Sequence, residues 1–258
     1  MKHLKKLYIG LIFMFLYAPI ATLIVFSFNN SKSRAKWGGF TLKWYENMFN
    51  DPVIMKSLYY TIVIALIAAV VSTLIGTFAA VGIHYMRSWL KKILINITYL
   101  PVLNPDIVTG IGLMLLFILL QMKLGFESLL IAHISFCIPY VIISVLPKLK
   151  QLTPNTFEAA LDLGATPFQT LWKVIIPEIS SGIVTGFLLA FTLSLDDFII
   201  SYFTTGNGVS TLSITIFTMT KRGIKPEINA ISTVMFVTIL VLLTLINRRQ
   251  GKDKVLLD

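Results

Sequence analysis

The chain has 258 residues, of which 56% are hydrophobic and only 13% charged, and its mean hydropathy is +0.81. A soluble domain of this length has too little interior to hide so many apolar side chains, so composition excludes a soluble globular protein and indicates an all-α integral membrane protein. The net charge of +10 comes from basic residues that sit mostly between apolar runs, where they suit lipid headgroups, and no basic-aromatic motif points to nucleic acid.

Six apolar runs are long enough to cross a bilayer, which takes about 17–25 residues each. They are Leu7–Phe28, Leu58–Ile83, Ile93–Leu120, Leu129–Leu146, Ile179–Phe203 and Ile228–Ile246, in a single predicted domain over 1–258. Lys2, Lys5 and Lys6 precede the first, as in a signal peptide. Its apolar run exceeds the roughly 7–15 residues of such a signal, and five more spans follow, which favours an uncleaved helix. With the N-terminus inside, inner segments hold 13 of the 22 Lys and Arg. That bias favours both termini cytoplasmic, though modestly.

The second span carries Ala68, Ser72, Gly76 and Ala80 at four-residue spacing. Small residues on one stripe let a neighbouring backbone approach closely, and that neighbour is either in this chain or in a second subunit. The third span contains "LPVLNPDIVTGIG", where Pro101, Pro105, Gly110 and Gly112 surround Asp106. A broken helix of this kind is tolerated where it is buried or lines a cavity. In the fourth span lies Cys137, the single cysteine, so no intrachain disulfide forms; His3, His84 and His133 are scattered and make no metal-ligand cluster.

Between the fourth and fifth spans, residues 147–178 form a predicted inner loop with two short helices and an elbow. Thr153 is placed to cap the first, with Pro154 at its first position and Gly164 ending it in a left-handed conformation. Thr166, Pro167 and Gln169 then open the second with a capping box. Pro177 closes it or opens the helix that becomes the fifth span.

The fifth span holds "FTLSLDDFIISYF", with Asp196 and Asp197 adjacent. Each Asp near the middle of a spanning helix costs roughly 2.5–3.5 kcal/mol. Asp196 lies fourteen residues beyond Gly182 and Asp106 thirteen beyond Ile93, which in straight, similarly tilted helices places both roughly 20 Å in. Neighbours on a helix point about 100° apart, so Asp196 and Asp197 do not face one ligand together. No central Lys or Arg offers pairing within the spans. The open alternatives are a protonated Asp satisfied by Ser194, Ser201 or Asn104, a basic group on another subunit, or a cationic substrate. Tyr99, Tyr140, Phe198 and Tyr202 are available for cation–π contacts, although membrane aromatics more often serve packing. Pro226 and Glu227 suit the first turn of the last helix.

The inner loop resembles the EAA loop of ABC importer permeases, in which E-A-A is followed by three residues, G, nine residues and I-x-L-P. Glu158-Ala159-Ala160, Gly164 and Pro177 keep that spacing, with Val174 and Ile176 at the two hydrophobic positions. The resemblance implies the type I importer permease fold, six spans with cytoplasmic coupling helices, and puts this loop in the cytoplasm. It further implies that the helix pair docks in a cleft of a separate ATPase, with Glu158 bonding its surface, Gly164 allowing the elbow, and Phe157 and Leu161 filling the cleft. No G-x-x-x-x-G-K-[ST] phosphate loop is present, so ATP and Mg are expected on the partner ATPase and no cofactor on this chain.

Along nearly the whole length, "PIATLIVFSFNNSK", "WGGFTLKWYENMF", "NPDIVTGIGLMLLF", "FTLSLDDFIISYFTTG" and "KPEINAIST" are similar to permeases of polyamine (spermidine/putrescine) importers. The implied pathway residues are Asp106, Asp196, Asp197, Tyr99 and Tyr202. The implied partners are a homologous second permease, a cytoplasmic ATPase dimer and an extracytoplasmic polyamine-binding protein. "KWGGFTLKWYENMF" then reads either as an interfacial anchor or as a surface for that binding protein. Rival readings are an importer permease for iron, an amino acid or an oxyanion, and an ion-coupled cation carrier, which would have no reason to keep an ATPase-docking loop. A membrane enzyme would need a nucleophile–base pair or metal set, and none is evident.

Overall fold

The computed structural model describes residues 2–31, 36–153, 155–221 and 226–255. In chain order the helices are α1 (Lys2–Ser27), α2 (Lys43–Asn50), α3 (Pro52–Tyr85), α4 (Ser88–Leu103), α5 (Asp106–Leu119), α6 (Phe126–Gln151) and α7 (Thr156–Asp162). They continue with α8 (Pro167–Thr170), a π-turn (Leu171–Ile175), α9 (Ile176–Glu178), α10 (Ser180–Asp196), α11 (Ile199–Thr204), α12 (Leu212–Lys221) and α13 (Pro226–Val255). Among the described residues there is no strand, only the isolated bridge between Asn29 and Phe40.

Three helices are individually long and apolar enough to span a bilayer: Lys6–Ser27, Pro52–Tyr85 and Phe126–Gln151. The third and fifth predicted spans are not the continuous rods assumed for the depth comparison. The third is α4 plus α5, bent by 104°, and the stretch Pro167–Glu178 turns by 70° into α10. Asp106 and Asp196 are therefore not placed at equal depth by helical rise alone. The sixth is the apolar first part of α13, Pro226–Val241, with Glu227 in its first turn as expected.

Backbone contacts divide the chain into two compact units. The first joins residues 1–58 to 215–248. In it the end of α1 is tied to the following loop and α2: Trp44 donates its indole N–H to the Asn29 carbonyl at 2.7 Å, and Ser27 bonds Tyr45 at 2.7 Å. Phe28 stacks on Phe40.

The second unit, built mainly from 59–214, centres on α6. The stripe of α3 is spent inside this chain: Ala68, Ser72 and Ala80 are fully buried, and a Cβ at Gly76 would lie 2.7 Å from the Val141 Cβ on α6. Gly186 of α10 meets Val141 as well, with a Cβ there 3.2 Å from its Cγ1. Backbones this close gain dispersion contact, which drives helix association where lipid removes the hydrophobic incentive.

In the inner loop, α7 begins at Thr156, later than expected. Asn155 precedes it with no side-chain cap, and Thr153 contributes only its carbonyl to the Thr156 N–H; Pro154 lies outside the described residues. The end is as predicted. Gly164 has φ +88°, and the N–H groups of Gly164 and Ala165 reach the carbonyls of Leu161 and Ala160 in a Schellman motif. Thr166 and Gln169 close the capping box, with Pro167 at N1. Pro177 has no N–H to give the turn before it and its ring crowds that turn, which accounts for the widened π geometry at Leu171–Ile175.

Candidate functional site

The break between α4 and α5 is a proline device. The residue before a proline is held extended, and Asn104 has ψ 143°; Pro105 itself, at ψ 136°, precedes α5 rather than continuing α4. Asp106 is then the first residue of a new helix, where free N–H groups favour a negative charge. Its side chain is exposed and, among the described residues, receives no hydrogen bond or ion pair.

The second break separates the two adjacent acids. Asp196 ends α10 and is exposed, with no hydrogen bond or ion pair among the described residues. Asp197 leaves the helix with ψ 130° and turns inward, its side chain only 6% exposed. One carboxylate oxygen accepts the Ile200 N–H at 3.2 Å and the other the Ser201 N–H at 2.7 Å. Asp197 thus caps α11.

The inward acid also has a partner that is neither Lys nor Arg. His133 of α6, 1% exposed, places Nε2 3.6 Å from Asp197 Oδ2. The same nitrogen bonds the Ser201 hydroxyl at 3.0 Å, and Nδ1 bonds the Ser194 hydroxyl at 2.7 Å. Asp197 therefore has an internal partner although the spans hold no central Lys or Arg. Ser194 and Ser201, considered as partners of a protonated Asp, hydrogen-bond the imidazole through their hydroxyls, and only Ser201 also reaches Asp197, through its N–H. The signal was present: Ser194 and Ser201 stand three residues before and four after Asp197, and one imidazole lies in the neighbouring span.

The two breaks converge. At Gly110, one turn past Asp106, a Cβ would sit 3.5 Å from both the Ile199 carbonyl oxygen and the Ile200 Cα at the start of α11. Both acid-bearing breaks therefore lie within about one turn, ~5 Å of helix axis, of a single helix contact. Tyr99 on α4 and Tyr202 on α11 are both exposed, Tyr202 with its ring 5.5 Å from Phe198 and from Phe203. Tyr140 packs edge-on against Phe136.

On the inner loop, Glu158 and Ala159 are exposed and Ala160 is buried. Phe157 is not free to fill an external cleft, because its ring lies 5.3 Å from Tyr85 at the end of α3. The large apolar groups presented outward are Leu163, 90% exposed, and Phe168, 71% exposed, either side of the Gly164 elbow.

The sequence signature of the family described as "Binding-protein-dependent transport system inner membrane component" matches residues 72–251. The Spermidine/putrescine transport system permease protein PotC of Escherichia coli (strain K12) is 40% identical over 231 residues, 90% of this chain and 88% of that protein. The protein of the same description from Haemophilus influenzae is 36% identical over 94% of both chains. The Putrescine transport system permease protein PotI of E. coli K12 is 36% identical over 86% of this chain and 82% of its own. Among solved structures, a bacterial ABC transporter involved in import of the acidic polysaccharide alginate superposes with TM-score 0.77 at 16% identity, over 96% of this chain and 95% of that one. That likeness concerns the fold. The signature and these near full-length relatives show that the chain belongs to the binding-protein-dependent inner-membrane components, the permease subunits of ABC importers.

Proposed function

We propose that this permease subunit carries polyamines, spermidine or putrescine, across the cytoplasmic membrane. Two exposed carboxylates without a partner in the described chain, Asp106 and Asp196, stand at breaks near one helix contact, and this observation carries the reading. A polyamine bears ammonium charges separated by methylenes, so spaced carboxylates bordered by aromatic surface suit it. Tyr99 and Tyr202 supply that surface, and Asp197 supports the pathway from behind. Similarity to permeases described as serving spermidine and putrescine supports the same substrate class.

In this reading a homologous second permease completes the pathway and an extracytoplasmic polyamine-binding protein delivers cargo. A cytoplasmic ATPase dimer binds ATP and Mg and engages Glu158, Ala159, Ala160 and the Gly164 elbow, with Leu163 and Phe168 as its apolar contacts. Pro177 sets the turn that hands motion to α10. Both termini then lie in the cytoplasm.

The test is uptake by proteoliposomes holding all four components, with labelled spermidine, putrescine, an amino acid and an oxyanion. ATP-dependent accumulation of the polyamines alone is expected. Transport of another class in preference to them overturns the reading.

A further inference from the structure

We propose that His133 is a positioning residue: it clasps both sides of the break between α10 and α11 and thereby holds Asp196 outward. The idea rests on the polyamine reading only for what Asp196 meets, not for the clasp itself.

Three partners of one imidazole lie on different pieces of broken backbone. Ser194 belongs to the last turn of α10, Asp197 to the break, and Ser201 to the first turn of α11. A carboxylate 3.6 Å from Nε2 favours the proton on that nitrogen, and Nδ1 then accepts from the Ser194 hydroxyl. Asp197 meanwhile keeps both oxygens occupied by α11 amides. The break is thus closed by side chains where backbone hydrogen bonding stops, as an apolar environment demands.

Two further side-chain contacts tie α6 to the same broken span. Cys137 Sγ–H points to the Ala190 carbonyl of α10 at 3.4 Å, and the Ser128 hydroxyl donates to the Thr204 carbonyl of α11 at 2.8 Å. Toward the start of α10, Gly182 and Gly186 already pack tightly on α6, so polar groups are not needed there for adhesion. They concentrate where the chain changes direction. A fully buried imidazole in that place is matched to the geometry of the break rather than to general packing.

The setting of Asp196 follows. With Asp197 drawn in and Ser194 pinned, Leu195 is buried and Asp196 is the residue turned out. Releasing the imidazole lets the end of α10 rotate, and the charge offered to a cation moves with it.

The test uses the complete importer in proteoliposomes. His133→Ala is expected to raise the half-saturating polyamine concentration about tenfold with a smaller fall in maximal rate, since buried partners are left unmatched. His133→Gln keeps an amide where Nε2 stood and is expected to recover most of the affinity. His133→Asn reaches only toward Ser194 and is expected to recover little. In a Cys137→Ser background, Asp196→Cys should react with a cationic thiol reagent and Leu195→Cys should not, and His133→Ala should erase that contrast. Ser201→Ala, a milder lesion, should weaken it. This labelling readout is independent of the cargo, so a wrong substrate leaves the contrast intact while abolishing the uptake effect. An unchanged contrast in His133→Ala, or equal rescue by Gln and Asn, overturns the clasp.

Discussion

Asp196 and Asp197 are consecutive residues with opposite settings: the first is exposed at the end of α10, while the second has a side chain only 6% exposed and caps α11. Substitutions at the two should therefore differ in kind. Asp196→Asn is expected to leave thermal stability in detergent unchanged and to cut polyamine uptake at limiting substrate by about tenfold, through loss of charge at the proposed cation site. Asp197→Ala removes two backbone caps and should cost roughly 1–2 kcal/mol of stability, seen as a lowered unfolding temperature. Equal stability losses at both positions would count against this division.

The elbow makes a second prediction. Gly164 adopts φ +88°, and an L side chain there costs about 1–2 kcal/mol. Gly164→Val should therefore disturb the angle between α7 and α8, whereas Glu158→Ala removes one exposed carboxylate and leaves the angle intact. Both are expected to uncouple ATP hydrolysis from import, but only Gly164→Val should also increase proteolysis of the loop. Full coupling in both variants would remove the loop from the mechanism.

Leu163 and Phe168 supply a third. They are 90% and 71% exposed, so truncation costs the isolated chain little. Leu163→Ala with Phe168→Ala should leave the permease folded yet reduce recovery of the ATPase in pull-down from the assembled complex. Phe157→Ala should do the reverse, loosening the chain's own loop by removing the ring contact with Tyr85.

A fourth concerns the contact between α3 and α6. A Cβ at Gly76 meets the Val141 side chain at 2.7 Å, too close for either backbone to ignore. Gly76→Val is expected to destabilise by about 1–3 kcal/mol through overpacking, and Val141→Ala should relieve part of that in the double variant. Strict additivity of the two, measured by thermal unfolding in detergent, would refute direct contact.

Much of this was visible in the chain before folding. Gly164, Thr166, Pro167 and Gln169 carry their signals within a few residues, because caps and left-handed turns are local chemistry. Pro105 announced a break, but not its 104° angle, which depends on what α5 packs against. Thr153 looked like a cap because Thr and Pro commonly begin helices, yet α7 starts at Thr156, since the loop must first leave α6. Tertiary facts were harder to read. The α3 stripe did not say which neighbour it served, and the flanking serines hinted at a polar partner for Asp197 without pairing it to His133, more than sixty residues away in sequence.

The ring contact between Phe157 and Tyr85 has a mechanical corollary. Through Ile179 the inner loop is continuous with α10, and through these two rings it also abuts the final residue of α3. Under the proposed coupling, a tug on the loop would therefore be shared between two pillars, like a crank with twin rods, so that neither swings alone.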